Sequence, residues 1–145
     1  MLAENQKVPE FSLPDPTGKD IRLSDFKGKV VVLYFYPKDD TPGCTTEACN
    51  FRDIYSELKS LGAEVVGVSP DSPKSHSAFA SKYGLPFLLL SDQKKEVAKL
   101  FGALKDDGSI LRSTFIIDKE GRLKKAFFGV DPAKHHQEVL KFLRE

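Results

Sequence analysis

The chain has 145 residues, a net charge of +1 from 22 basic and 21 acidic residues, and two cysteines. The length suits one domain, residues 1–145, and the interleaved charges give no electrostatic case for nucleic acid or an anionic membrane. No apolar run nears the roughly 18 residues of a membrane span, and two cysteines are too few for a disulfide scaffold.

The first 28 residues carry turn signals at Pro14-Asp15-Pro16-Thr17-Gly18 and Lys27-Gly28, flanked by Phe11, Leu13, Ile21 and Leu23. They predict a small hairpin and a turn over Ser24 to Phe26. Lys29 to Tyr36 is continuously apolar, β-branched and aromatic, the pattern of a strand buried on both faces. From Pro42 to Leu61, Cys44, Ala48, Phe51, Tyr55, Leu58 and Leu61 recur at helical spacing until Gly62 stops the helix. Ala63 to Val68 predicts the next strand. Ser72 opens a helix through Tyr83, and Phe87 to Leu90 predicts a short strand. Asp92 caps a helix through Phe101. Arg112 to Ile117 and Leu123 to Phe128 flank Asp118-Lys119-Glu120-Gly121, a hairpin signal. Asp131-Pro132 opens a last helix through Leu143. Strands alternating with helices imply an α/β fold with a central mixed sheet and helices on both faces. The N-terminal hairpin extends it and the closing hairpin supplies antiparallel strands, an order that fits a thioredoxin-like fold better than a flavodoxin-like one.

The turn after the central strand reads Pro37-Lys38-Asp39-Asp40-Thr41-Pro42-Gly43-Cys44. The carboxyl end of a central strand is where α/β sheets build sites. Thr41 suits an N-cap and Pro42 a first helical residue. Cys44 then falls in the first turn, where unpaired amides and the positive helix end favour a thiolate over a thiol. Cys49 follows five residues later on the polar side of the same helix, near Arg52, Asp53 and Ser56. Five residues of helix separate the two Cα atoms by roughly 8.6 Å, and a disulfide needs less than about 7 Å. If the cysteines bond, the first turns must unwind, and Pro42, Gly43 and the threonines around them make a weak helix start. The spacing is not that of a Cys-x-x-Cys reductase, and a zinc site would need more ligands than are near. His76, His135 and His136 lie far along the chain and read as solvated helix residues.

Pro37-x-x-x-Thr41-x-x-Cys44 resembles the peroxiredoxin active-site motif. The longer string from Tyr36 to Asp53, the block Arg112 to Asp118 and the final Gly129 to Leu140 are similar to the peroxiredoxin Q class, also called bacterioferritin-comigratory proteins. The resemblance implies a thiol peroxidase acting on hydrogen peroxide or alkyl hydroperoxides. In it Cys44 would be the peroxidatic cysteine, and Thr41 would donate and accept hydrogen bonds to the peroxide oxygens. Pro37 would shield the pocket, Arg112 would lie beside the sulfur, and Glu47 would orient that arginine. The amides of Gly43 and Cys44 would hold the transition-state oxygens. Cys49 resembles the resolving cysteine of one branch of the class, so an intramolecular disulfide recycled by a thioredoxin-type reductant is implied. The resemblance calls for no metal, haem or flavin, and the expected protein is a cytoplasmic monomer. A peroxide sensor that passes oxidation to a partner protein is the alternative. One departure is the stretch between Phe101 and Arg112, which lacks the aromatic-rich segment many relatives show there and bears on the pocket rim.

Overall fold

The structure, a computed structural model, describes residues 2–145. Its centre is the strand β3, Val30–Phe35, inside a five-stranded sheet ordered β5-β4-β3-β6-β7. The other strands are β4 (Ala63–Ser69), β5 (Leu88–Ser91), β6 (Ser113–Ile117) and β7 (Leu123–Phe128). A separate pair, β1 (Ser12–Pro14) and β2 (Asp20–Arg22), forms the N-terminal hairpin and runs into a 3-10 turn over Leu23–Phe26. β3, β4 and β5 run parallel, as right-handed βαβ crossovers require of strands joined through helices. β6 pairs antiparallel with both β3 and β7, so the sheet is mixed as expected.

Alternation along β3 divides the core. Val31, Leu33 and Phe35 face a layer made by the N-terminal hairpin and the short helix α3, Glu96–Phe101, with Phe101 and Phe115 at its middle. Val32, Tyr34 and Tyr36 face the other layer, built from α1 (Pro42–Ser60), α2 (Pro73–Tyr83) and α4 (His135–Arg144). Helices therefore lie on both faces. Tyr34 lies across β4 at its register partner Gly67, where a Cβ would sit 2.9 Å from the tyrosine ring. A side chain there would push the ring off the sheet.

Two helix starts differ from the sequence expectation. The helix expected from Asp92 begins at Glu96, because Lys95 takes a left-handed conformation (φ 61°). Asp92 still caps it, accepting from the amides of Val97 and Ala98 across the bend. The last helix begins at His135 rather than at Ala133: Asp131 turns the chain first, accepting the Ala133 amide on its side chain and the Lys134 and His135 amides on its carbonyl. No helix among the described residues is long and apolar enough to cross a membrane.

Candidate active site

The first turn of α1 starts where β3 delivers the chain, with Thr41 at the N-cap in extended conformation and Pro42 as the first helical residue. Proline there lacks an amide that would have no partner, and its fixed φ suits the helix. Cys44 is third in the helix and 2% exposed. The Thr41 hydroxyl does not cap the amides. It donates instead to the Lys38 carbonyl at 2.8 Å. The first backbone bond of the helix runs from the Thr45 amide to the Thr41 carbonyl, which leaves the Gly43 and Cys44 amides directed out of the helix start beside the sulfur.

Arg112 enters from the residue preceding β6, the strand paired directly with β3. Its Nη2 donates to Cys44 Sγ at 3.3 Å, and its Nη1 donates to Glu47 Oε1 at 2.9 Å. Its backbone carbonyl accepts from the Val130 amide, which ties its base to the loop after β7. Gly43 makes the approach possible, since a Cβ at that position would stand 3.2 Å from Arg112 Nη2 and 3.5 Å from Pro132. Pro37 is exposed. Cys49 is half-buried, both cysteines are free, and α1 runs unbroken through them.

Glu47 is 1% exposed, and its Oε2 has no partner. Burial raises its pKa to about 7 against the opposing pull of Arg112. Burial also pulls down on Arg112, but the charges of Glu47 and Cys44 outweigh it and leave the guanidinium more firmly protonated than usual. A carboxyl whose folded pKa lies above its unfolded value binds its proton more tightly in the native state. Its contribution to stability is therefore full below about pH 4.5 and declines as the pH rises toward 7, by about 3 kcal/mol in all. His135, whose pKa burial lowers, runs the opposite way. Comparison with Glu47→Gln isolates the carboxyl. In denaturant titrations from pH 5 to 8, the wild type is expected to lose stability relative to Glu47→Gln as the pH rises. A difference constant with pH would refute this assignment.

The structure corrects the reading of two histidines. His76 and His135 are fully buried rather than solvated, and His136 is half-buried. His135 reaches the Thr114 hydroxyl at 2.7 Å and Glu138 at 3.1 Å. His76 faces Asp39 Oδ2 at 2.7 Å and the Leu90 carbonyl at 3.0 Å. Asp39 also accepts from the Tyr36 hydroxyl at 2.6 Å and from Ser75 at 2.8 Å. Helical spacing held the missed signal: His76, Phe79 and Tyr83 share one stripe of α2, and His135, Val139 and Phe142 share one of α4. The donor atoms of Asp39, Asp71 and His76 lie within 4.8 Å of one another, but hydrogen bonds already engage them. A concavity of about 360 Å³ lies at the other end of the sheet between Lys7, Leu23, Phe26, Lys29 and Lys119. No cysteine or histidine lines it.

Residues 5–126 match the AhpC/TSA family. The chain belongs to that family. It is 48% identical to peroxiredoxin Bcp of Bacillus subtilis, over 97% of this chain and 94% of that protein. It is 49% identical to the chloroplastic peroxiredoxin Q of Populus jackii, over 97% of this chain and 68% of that one. Among solved structures, the bacterioferritin comigratory protein of Xanthomonas campestris, described for its alkyl peroxide reduction activity, superposes with a TM-score of 0.88 at 38% identity. That superposition covers 92% of this chain and 90% of the other. Within the family the chain stands with the peroxiredoxin Q and Bcp proteins. As a peroxiredoxin it has the thioredoxin-like fold and is a thiol peroxidase.

Proposed function

We propose that Cys44 is the peroxidatic cysteine and Cys49 the resolving cysteine of a peroxidase that reduces hydrogen peroxide and alkyl hydroperoxides and is recycled by a thioredoxin-type dithiol. The observation that carries this reading is the guanidinium of Arg112 held 3.3 Å from Cys44 Sγ at the start of a helix. The guanidinium and the helix end both bring positive charge to the sulfur.

The sulfur's electron pair attacks the terminal oxygen of the peroxide, the S–O bond forms and the O–O bond breaks. The departing hydroxide or alkoxide takes a proton from water. The negative charge passes from sulfur to that departing oxygen, within reach of Arg112 and the free amides of Gly43 and Cys44. Thr41 meets the peroxide from the N-cap, and Pro37 forms the rim. Glu47 holds the guanidinium by one arm so that the other points at the sulfur. The Cys49 thiolate then attacks the sulfenic sulfur, the disulfide forms, and hydroxide leaves and is protonated to water. The dithiol partner returns two electrons and the chain returns to its two thiols. A cycle that consumes thiols suits a reducing compartment such as the cytoplasm. The exposed large apolar side chains, Leu61, Leu100 and Phe128, are single and scattered, which suits a monomer.

Mass spectrometry of the protein treated with one equivalent of peroxide tests this assignment. The expected product is a chain two hydrogens lighter whose digest links Cys44 to Cys49. An intermolecular dimer, or a sulfinic acid at Cys44 with Cys49 still free, would remove Cys49 from the cycle.

A further inference from the structure

We propose that Asp71, together with the buried Asp39–His76 pair, acts as a set of positioning residues for the Thr41 hydroxyl. They fix one peptide plane so that Thr41 meets the peroxide as a hydrogen-bond acceptor alone. The proposal rests on the reading of Thr41 as a group that touches peroxide.

The plane is the peptide between Lys38 and Asp39. At one edge its carbonyl, on Lys38, accepts the Thr41 hydroxyl at 2.8 Å. At the opposite edge its N–H, on Asp39, donates to Asp71 Oδ2 at 2.8 Å. A peptide unit is rigid and planar, so holding the N–H sets the direction of the carbonyl. Asp71 is itself held, because the same Oδ2 accepts from the Ser69 hydroxyl at 2.6 Å and the Asp71 amide donates back to that hydroxyl at 3.2 Å. Ser69 is 1% exposed at the end of β4.

The next Cα is clamped as well. The Asp39 carboxylate takes bonds from Tyr36, Ser75 and His76, and His76 ends on the Leu90 carbonyl of β5. The side chains of Asp39 and His76 are 4% and 0% exposed. Ser69 lies in β4, Ser75 and His76 in α2 and Leu90 in β5, and Tyr36 directly follows β3. Buried polar networks of this kind carry large penalties when one member is removed.

The consequence for Thr41 follows from its proton count. A hydroxyl has one proton and two lone pairs. With the proton committed to the Lys38 carbonyl, only acceptor capacity remains toward the pocket. A hydroperoxide brought to Cys44 then has one way to bond Thr41: its own O–H donates. That fixes which oxygen faces the sulfur and aligns the O–O bond for displacement. If the Lys38 carbonyl swings away, the threonine proton is free to point into the pocket, and the peroxide has two competing orientations.

Two rate constants test this in purified full-length protein: oxidation of Cys44 by hydrogen peroxide in a single turnover, and alkylation of Cys44 by iodoacetamide. The second reads the thiolate without needing Thr41. Asp71→Ala is expected to slow the peroxide step about tenfold and leave alkylation within about twofold. Asp71→Asn keeps an oxygen acceptor for the Asp39 amide and is expected to stay within about threefold of wild type on peroxide. Thr41→Val combined with Asp71→Ala should be no slower than Thr41→Val alone, because the two changes disable one device. Ser69→Ala, a nearly isosteric change, is expected to give a smaller loss with the same non-additivity, and it carries the test if Asp71→Ala does not fold. The proposal is overturned if peroxide and alkylation rates fall together, if the effects of Thr41→Val and Asp71→Ala multiply, or if Asp71→Asn is as slow as Asp71→Ala. If Thr41→Val alone leaves the peroxide rate unchanged, the role of Thr41 itself is what fails.

Discussion

The Cys49→Ser variant is expected to consume about one equivalent of peroxide per chain and then stop, losing thioredoxin-driven turnover by at least about a hundredfold. Cys44→Ser is expected to lose both the stoichiometric reaction and the turnover. The asymmetry comes from position. Cys44 lies against Arg112 at the helix start, whereas Cys49 lies more than a turn further along α1 and is half-buried. On the proposed assignment the first oxidation needs only the former. The second step needs the latter, and it needs α1 to open, since five helical residues keep the Cα atoms roughly 8.6 Å apart. Peroxide consumption coupled to thioredoxin, its reductase and NADPH measures turnover, and a thiol count after one equivalent of peroxide measures the first step. Full turnover by Cys49→Ser would mean that an outside thiol resolves the sulfenic acid.

Arg112→Met is expected to lower the single-turnover rate with hydrogen peroxide by about 10²- to 10³-fold, the usual effect of deleting a donor that stabilises charge in the transition state. Here the charge leaves sulfur and appears on the departing oxygen, and the Nη2 arm lies 3.3 Å from the sulfur where that path begins. Arg112→Lys is expected to recover only a small part of the loss. The guanidinium uses separate arms for Glu47 and Cys44, and an ammonium on a flexible stem does not reproduce that fork. Iodoacetamide alkylation should slow in Arg112→Met, because the sulfur loses its neighbouring cation. A rate within a few-fold of wild type in Arg112→Met would remove the arginine from the mechanism.

Much of the frame was readable from local signals. The buried run of β3, the Thr41-Pro42 start and Gly62 stop of α1, the Ser72 cap of α2 and the hairpin joining β6 to β7 each follow from residues that are neighbours in the chain. Where a helix start depended on contacts across a bend, as at Asp92 and Lys95, local signals misplaced it by a few residues. Cys44 was marked by its own surroundings, but Arg112 was not. An arginine before a strand is ordinary, and only its resemblance to a known block singled it out. Its 68-residue separation from Cys44 is spanned by strand pairing that no local pattern encodes. The Asp39–His76 pair was missed for a different reason. A histidine in a polar-looking helix suggests solvent until Phe79 and Tyr83 are counted on its stripe.

That strand pairing also has a consequence during synthesis. β3 is among the first long elements to leave the ribosome, yet its neighbour β6 and the arginine just ahead of it come late in the chain. Closing so large a loop is slow compared with forming a helix from neighbouring residues. A nascent chain that has made only the first half of the sheet carries Cys44 without the guanidinium that lies 3.3 Å from its sulfur in the folded protein. The order of the strands thus makes the Cys44–Arg112 contact one of the last the emerging chain can form.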